Sequence, residues 1–174
     1  MRSRRRMIAL VSFLAINASV LVCAKNVEAE SRSEQIVGTW SLVSIYEEDA
    51  GGEDVDSFGA NPEGNLVLDR SGHFSLEIFG ERRKSAAHSQ VIRTSADAQS
   101  LLQSSLAYFG TYSIGEDSGS LTLTVQRSLF PNLDNAVLQS SITLSATSLE
   151  LESAGALTLT GAAYSHLRWR RVAD

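Results

Sequence analysis

In stretch after stretch from Ile36 onward, apolar residues in this chain fall on every second position, and that rhythm admits β-sheet and little else. It is plainest between Gly64 and Ile78. Leu66 and Leu68 share one face, Asp69-Arg70-Ser71-Gly72 supplies turn residues, and Phe74, Leu76 and Ile78 return against His73, Ser75 and Glu77. Leu121, Leu123 and Val125 alternate in the same way with Thr122, Thr124 and Gln126. Further strands are expected over 36–46, 107–114, 136–144, 148–152, 157–160 and 164–172, mostly separated by short Gly, Asp or Asn turns. Eight or nine evenly spaced antiparallel strands fit an all-β, up-and-down barrel better than a Greek-key sandwich.

The two ends of the series suggest how the sheet closes. Gly38-Thr39-Trp40 opens it and Arg168-Trp169-Arg170 ends it. If the first and last strands meet, Trp40 lies at the barrel floor and either Arg168 or Arg170 covers its indole, a contact of about 0.5–2 kcal/mol. Residues 47–54 read as an acidic, solvated turn. Pro131 excludes a central ladder at 128–132, so Phe130-Pro131 is expected to pack against a barrel end.

From 81 to 105 the alternation stops. Glu81-Arg82-Arg83-Lys84 is a charge run, and Thr94 with Asp97 resembles a capping box. Ala98, Leu101, Leu102 and Leu106 follow at helical spacing, predicting one short helix near 95–106. This stretch is expected to serve as a lid or to be partly mobile.

Residues 1–29 read as a signal peptide: Arg2, Arg4, Arg5 and Arg6, an apolar run from Ile8 to Val22, then two cleavage-like arrangements, Val22-Cys23-Ala24 and Val27-Glu28-Ala29, the second of which sets the boundary. The expected location is periplasmic or secreted, by a Sec route or, given Ser3-Arg4-Arg5-Arg6-Met7-Ile8, a twin-arginine route. Val22 before Cys23 suits lipid attachment poorly. Residues 30–35 then form a short linker and 36–172 the barrel domain. Without residues 1–29 the chain loses four arginines, one lysine and one glutamate, and its net charge moves from −5 to −9. That surface repels nucleic acid, and no stable membrane span is expected after cleavage. The oligomeric state is left open.

The sequence offers little for catalysis. Cys23 is the single cysteine and would leave with the signal. His73 and Glu77 share an outer strand face without a third ligand, so no metal, cofactor or catalytic residue is assigned. The inward faces supply Leu66, Leu68, Phe74, Leu76, Ile78, Leu121, Leu123 and Val125, with Tyr46 and Tyr112 as polar handles. These ten line the expected cavity, if the barrel is hollow rather than filled.

Gly38-Thr39-Trp40-Ser41-Leu42, Gly64-Asn65-Leu66-Val67-Leu68, Tyr108-Phe109-Gly110-Thr111-Tyr112, Ser128-Leu129-Phe130-Pro131-Asn132 and Leu167-Arg168-Trp169-Arg170 resemble the lipocalin-like domain proteins of bacteria and fungi, from about 36 to 171. The resemblance implies a calycin-type barrel with a central cavity and little about reaction. Many relatives carry His before the Ser-Leu-Phe-Pro-Asn run, where this chain has Leu123 and Thr124, which weakens an enzymatic reading. The function expected is binding of a small apolar or amphipathic molecule. The alternatives are a metal-free isomerase or cyclase acting on a hydrophobic substrate, and an envelope interaction protein with a filled barrel.

Overall fold

The computed structural model describes residues 30–55, 58–81, 95–154 and 163–173. Nine strands occur among them: β1 (Gly38–Glu48), β2 (Asp54–Val55), β3 (Glu63–Leu68), β4 (His73–Phe79), β5 (Ser105–Gly115), β6 (Ser120–Ser128), β7 (Val137–Leu144), β8 (Ser148–Ala154) and β9 (Tyr164–Arg171). Sheet order is β2-β1-β3-β4-β5-β6-β7-β8-β9, and β1 also pairs β9. Every pairing is antiparallel, so β1 and β3–β9 make a closed eight-stranded up-and-down barrel, with β2 an extra strand on the far end of β1. The strand expected at 157–160, Thr94 of the capping box, and most of the expected lid lie outside the described residues.

Alternation works because each inward residue is covered by the opposite wall. Leu66, Leu68, Phe74, Leu76, Ile78, Leu121, Leu123 and Val125 are all at most 4% exposed, and at about 1.5–3 kcal/mol per fully buried large side chain they dominate the stability. The β3–β4 hairpin is fixed by Asp69, whose Oδ1 accepts from the amides of Ser71 (2.8 Å) and His73 (2.9 Å) and from the Ser71 hydroxyl (2.7 Å). Those bonds, the Ser71 hydroxyl foremost, hold the Asp69 carboxyl below the usual carboxylate range.

Two bulges reset the pattern. Pairing of β5 with β6 runs Phe109↔Arg127, then Gly110↔Val125, leaving Gln126 as the extra residue. Gly110 is required there, because a Cβ would overlap the Thr124 carbonyl oxygen. On β1, Leu42 pairs Trp169 and Ser44 pairs Arg168, so Val43 is extra and turned out to solvent. Beyond Val43 the odd residues face inward.

That bulge overturns two expectations. Glu47, read as part of a solvated turn, is a strand residue and 2% exposed. Tyr46, read as a cavity lining, is 41% exposed on the outer face, stacked on His166 with ring centroids 4.4 Å apart.

The floor is sealed as the chain ends suggested, by a different arginine. Trp40 is fully buried and donates through Nε1 to the Ile36 carbonyl (3.0 Å). The guanidinium 4.1 Å over its indole is that of Arg171. Arg171 donates to the carbonyls of Val37 (2.7 Å), Ala146 (2.8 Å) and Gln35. Arg168 and Arg170 point outward, Arg168 to Glu150 at 3.2 Å. Trp40 faces in, so the residue sharing its face must be an even step from inward Trp169, and Arg171 is that residue. Gly38, at φ +146, lies where a Cβ would come 2.6 Å from Arg171 Nη1.

Residues 30–35, expected as a linker, include a helical turn, α1 (Arg32–Gln35), with a Ser31/Glu34 capping box. The Glu116 carboxylate on the β5–β6 turn accepts from the Arg32 and Ser33 amides, both at 3.0 Å, pinning α1 under the floor. At the other end lie α2 (Ser95–Gln103) and a 3₁₀ turn, Pro131–Leu133. Leu106, counted into the expected helix, is instead an inward strand residue paired with Ile78, while Leu102 is exposed. Phe130 packs on the core and Pro131 is exposed.

Candidate functional site

Among the described residues the barrel interior is mostly apolar, and most of its polar side chains fall along one line. Register sets Glu47 opposite Ser165, Ser165 opposite Ser153, and Ser153 opposite Ser140. All four are buried, so a continuous polar row crosses β1, β9, β8 and β7 on the inner face. The next row toward the floor is apolar, Ile45, Leu167, Leu151 and Ile142, and on β6 Leu121 ends the polar row. The Ser140 and Ser153 hydroxyls meet at 2.5 Å.

Three other polar atoms inside the described barrel have no hydrogen-bond partner: Ser165 Oγ, Tyr108 Oη and Trp169 Nε1. Ser165 and Trp169 stand on β9, four residues apart. Tyr108 stands on β5, four strands from β9 in either direction round the barrel, so it faces them from the opposite wall. Its ring packs edge-on against Phe74, centroids 5.8 Å apart. Burial raises the Tyr108 phenol well above the usual tyrosine value. A buried donor or acceptor left unmet costs about 1–3 kcal/mol, so each of these groups is a local cost to the fold.

Of the ten residues expected to line a cavity, eight face the interior and are brought together there: Leu66, Leu68, Phe74, Leu76, Ile78, Leu121, Leu123 and Val125. Tyr46 does not, as described above. Tyr112 is half-buried at the floor end, where its hydroxyl donates to the Asp69 carbonyl (2.7 Å) and so ties β5 to the β3–β4 hairpin. Its phenol is also raised, by desolvation and then by the Asp69 charge. Sequence reasoning missed Glu47, Ser140, Ser153, Ser165 and Tyr108 as interior polar groups. Alternation alone marks the three serines and Tyr108, each two positions from an inward leucine, isoleucine or glycine.

Outside the barrel the described residues form two larger hollows. One, about 430 Å³, lies between α1 and the β3–β4 turn and is walled by Glu34, Val37, Arg70, Tyr112 and Ile114. The other, about 370 Å³, is a more apolar groove on the outer face of β4–β6, walled by Ala107, Phe109, Arg127 and Leu129. A third, smaller feature surrounds the Tyr46–His166 stack, where His166 Nε2 approaches Glu48 Oε1 at 3.5 Å. Among the described residues no cluster of His, Cys, Asp or Glu could hold a metal ion, and no helix is long and apolar enough to cross a membrane.

Comparison with family models agrees with this architecture. No curated protein matches the chain. Among solved structures, EF1p2_mFAP2b bound to DFHBI is similar over 80% of this chain and 96% of its own, at 14% identity and a TM-score of 0.38. A likeness that low carries no argument about a site. The family model for the lipocalin-like domain matches residues 37–172, which takes in the whole of the barrel from Gly38 to Arg171. A closed eight-stranded barrel of this kind supports binding of one small molecule in its interior. The chain belongs to the lipocalin-like domain family.

Proposed function

We propose that this protein is an exported carrier or receptor for one small, largely apolar molecule, held inside the barrel with its polar atoms toward Tyr108, Ser165 and Trp169. The observation that carries the reading is the set of three buried, unpartnered polar groups in a mostly apolar interior. A core kept for stability alone has better choices at these places, Phe for Tyr108 and Ala for Ser165, because neither leaves a group unmet. Export to the periplasm or beyond rests on the signal-like residues 1–29.

The inward side chains pack against one another, so the ligand enters by displacing them rather than by filling a standing void. Part of the binding energy is spent on that displacement. Catalysis is a weaker reading. Glu47 supplies one inward carboxylate, but Leu123 and Thr124 stand where many lipocalin-like relatives carry a His that could share acid–base work. The close packing itself favours one competitor, a filled barrel that works through its surface.

Native mass spectrometry of the protein purified from its own host, combined with Nile red titration, tests the proposal. An apolar adduct, or saturable dye uptake that is lost on introducing Leu76→Trp, supports an occupied interior. Repeated absence of both adduct and uptake sends the function to the outer surface.

A further inference from the structure

We infer that the interior selects a neutral molecule bearing hydrogen-bond acceptors at two separated points, a diketone, quinone or lactone type, over a hydrocarbon or a carboxylic acid of the same length. The inference rests on the interior-binding reading above and adds the ligand's chemistry to it.

The argument is the sign of the unmet hydrogen bonds. Trp169 Nε1–H can only donate, and the hydroxyls of Tyr108 and Ser165 each carry one proton with no acceptor in reach. The Ser140–Ser153 contact at 2.5 Å is served by a single proton, so that pair holds a second proton that their mutual bond does not use. The interior therefore offers neutral donors that acceptor atoms on a ligand can meet, and the Trp169 indole can be met in no other way. A hydrocarbon leaves them unmet. A carboxylate could accept from them, but it must shed its water and bring a full charge beside neutral hydroxyls and an indole, which compensate it poorly. Carbonyl and ether oxygens accept without that cost.

Placement adds the second acceptor. Tyr108 and Ser165 lie toward the same end of the barrel on opposite walls, whereas Trp169 lies four residues deeper on β9. Four residues of strand span roughly 13 Å, so one carbonyl cannot serve both levels. A ligand long enough to reach from one to the other needs an acceptor near each end.

The test uses one twelve-carbon series: the alkane, the methyl ketone, the bis-methyl ketone with carbonyls near both ends, and the carboxylate. Binding is followed by nitrogen-edited NMR of the indole N–H groups, of which the chain has two. Trp40 already donates to Ile36 and serves as the internal control. The bis-ketone is expected to bind roughly tenfold more tightly than the alkane or the carboxylate and to move the Trp169 resonance downfield while Trp40 stays in place. Tyr108→Phe and Ser165→Ala are each expected to shrink that preference about threefold or more without weakening alkane binding. If the alkane or the carboxylate binds as tightly as the bis-ketone, the donor argument is overturned and interior binding stands. If no member of the series binds, interior binding falls with it.

Discussion

Arg171→Ala should destabilise this protein out of proportion to a residue at the end of a strand. The guanidinium donates to three backbone carbonyls, on Gln35, Val37 and Ala146, and lies 4.1 Å over the Trp40 ring. Hydrogen bonds to charged groups contribute about 1.5–3 kcal/mol each, and the ring contact about 0.5–2 kcal/mol. The side chain is only partly buried, so water can replace it at the outer carbonyls. Taking the low end and discounting for that exchange leaves a loss of about 3–4 kcal/mol. Equilibrium unfolding in urea, followed by far-ultraviolet circular dichroism, is the assay, because fluorescence would report the altered Trp40 surroundings directly. With a slope of about 2 kcal/mol per molar, the midpoint should fall by about 1.5–2 M. Arg171→Lys should recover less than half of the loss, since one ammonium cannot span three carbonyls and cover an indole together. A loss under about 1 kcal/mol, or full rescue by lysine, would mean that the barrel closes without this clasp.

The remaining expectations concern the core and the second bulge. Trp40→Ala should cost about 3–5 kcal/mol by the same denaturation assay, and a loss under about 1 kcal/mol would reject Trp40 as a floor residue. Gly110→Ala should cost about 1–3 kcal/mol, because the added methyl meets the Thr124 carbonyl at the bulge; a neutral result would show that β6 shifts freely there. Tyr108→Phe should stabilise the protein by about 1 kcal/mol near neutral pH, by removing a hydroxyl that has no partner. The same variant has a pH signature. Burial raises the Tyr108 phenol, so its contribution is fully present below the unfolded tyrosine value near 10 and is lost as pH climbs past it, at about 1.4 kcal/mol per unit. Tyr112, also raised, adds to the wild-type slope; replacing Tyr108 should leave only that smaller part, and an unchanged alkaline slope would contradict the burial assignment.

The barrel was legible because its evidence is redundant: several strands each repeat the same alternation, and the hairpin at Asp69–Gly72 carries its own turn chemistry. What the sequence hid follows from a single extra residue. Nothing about Val43 in Leu42-Val43-Ser44 announces a bulge, yet it swaps the faces of everything beyond it on β1. Tyr46 therefore goes out and Glu47 goes in, against the simple count. Arg171 is a different kind of miss. The alternation that buries Trp169 also selects Arg171 over Arg168 and Arg170, so the information was present and the face was assigned to the wrong neighbours. The interior serines were hidden in plain view, because Ser is common on outer faces and only the register of four strands lines Ser140, Ser153 and Ser165 up with Glu47.

The seam between β1 and β9 has a consequence for how the molecule comes into being. Its clasp joins Val37 to Arg171, 134 positions apart. A ribosome delivering this chain from one end releases β1 long before its closing neighbour exists. During that interval one margin of β1 has no mate, and such margins invite pairing with other chains. Long-range closure of this sort is also slow. A newborn molecule thus passes through a vulnerable, threadable period whose length is set by the arrival of β9, and anything that handles the chain before then handles it open.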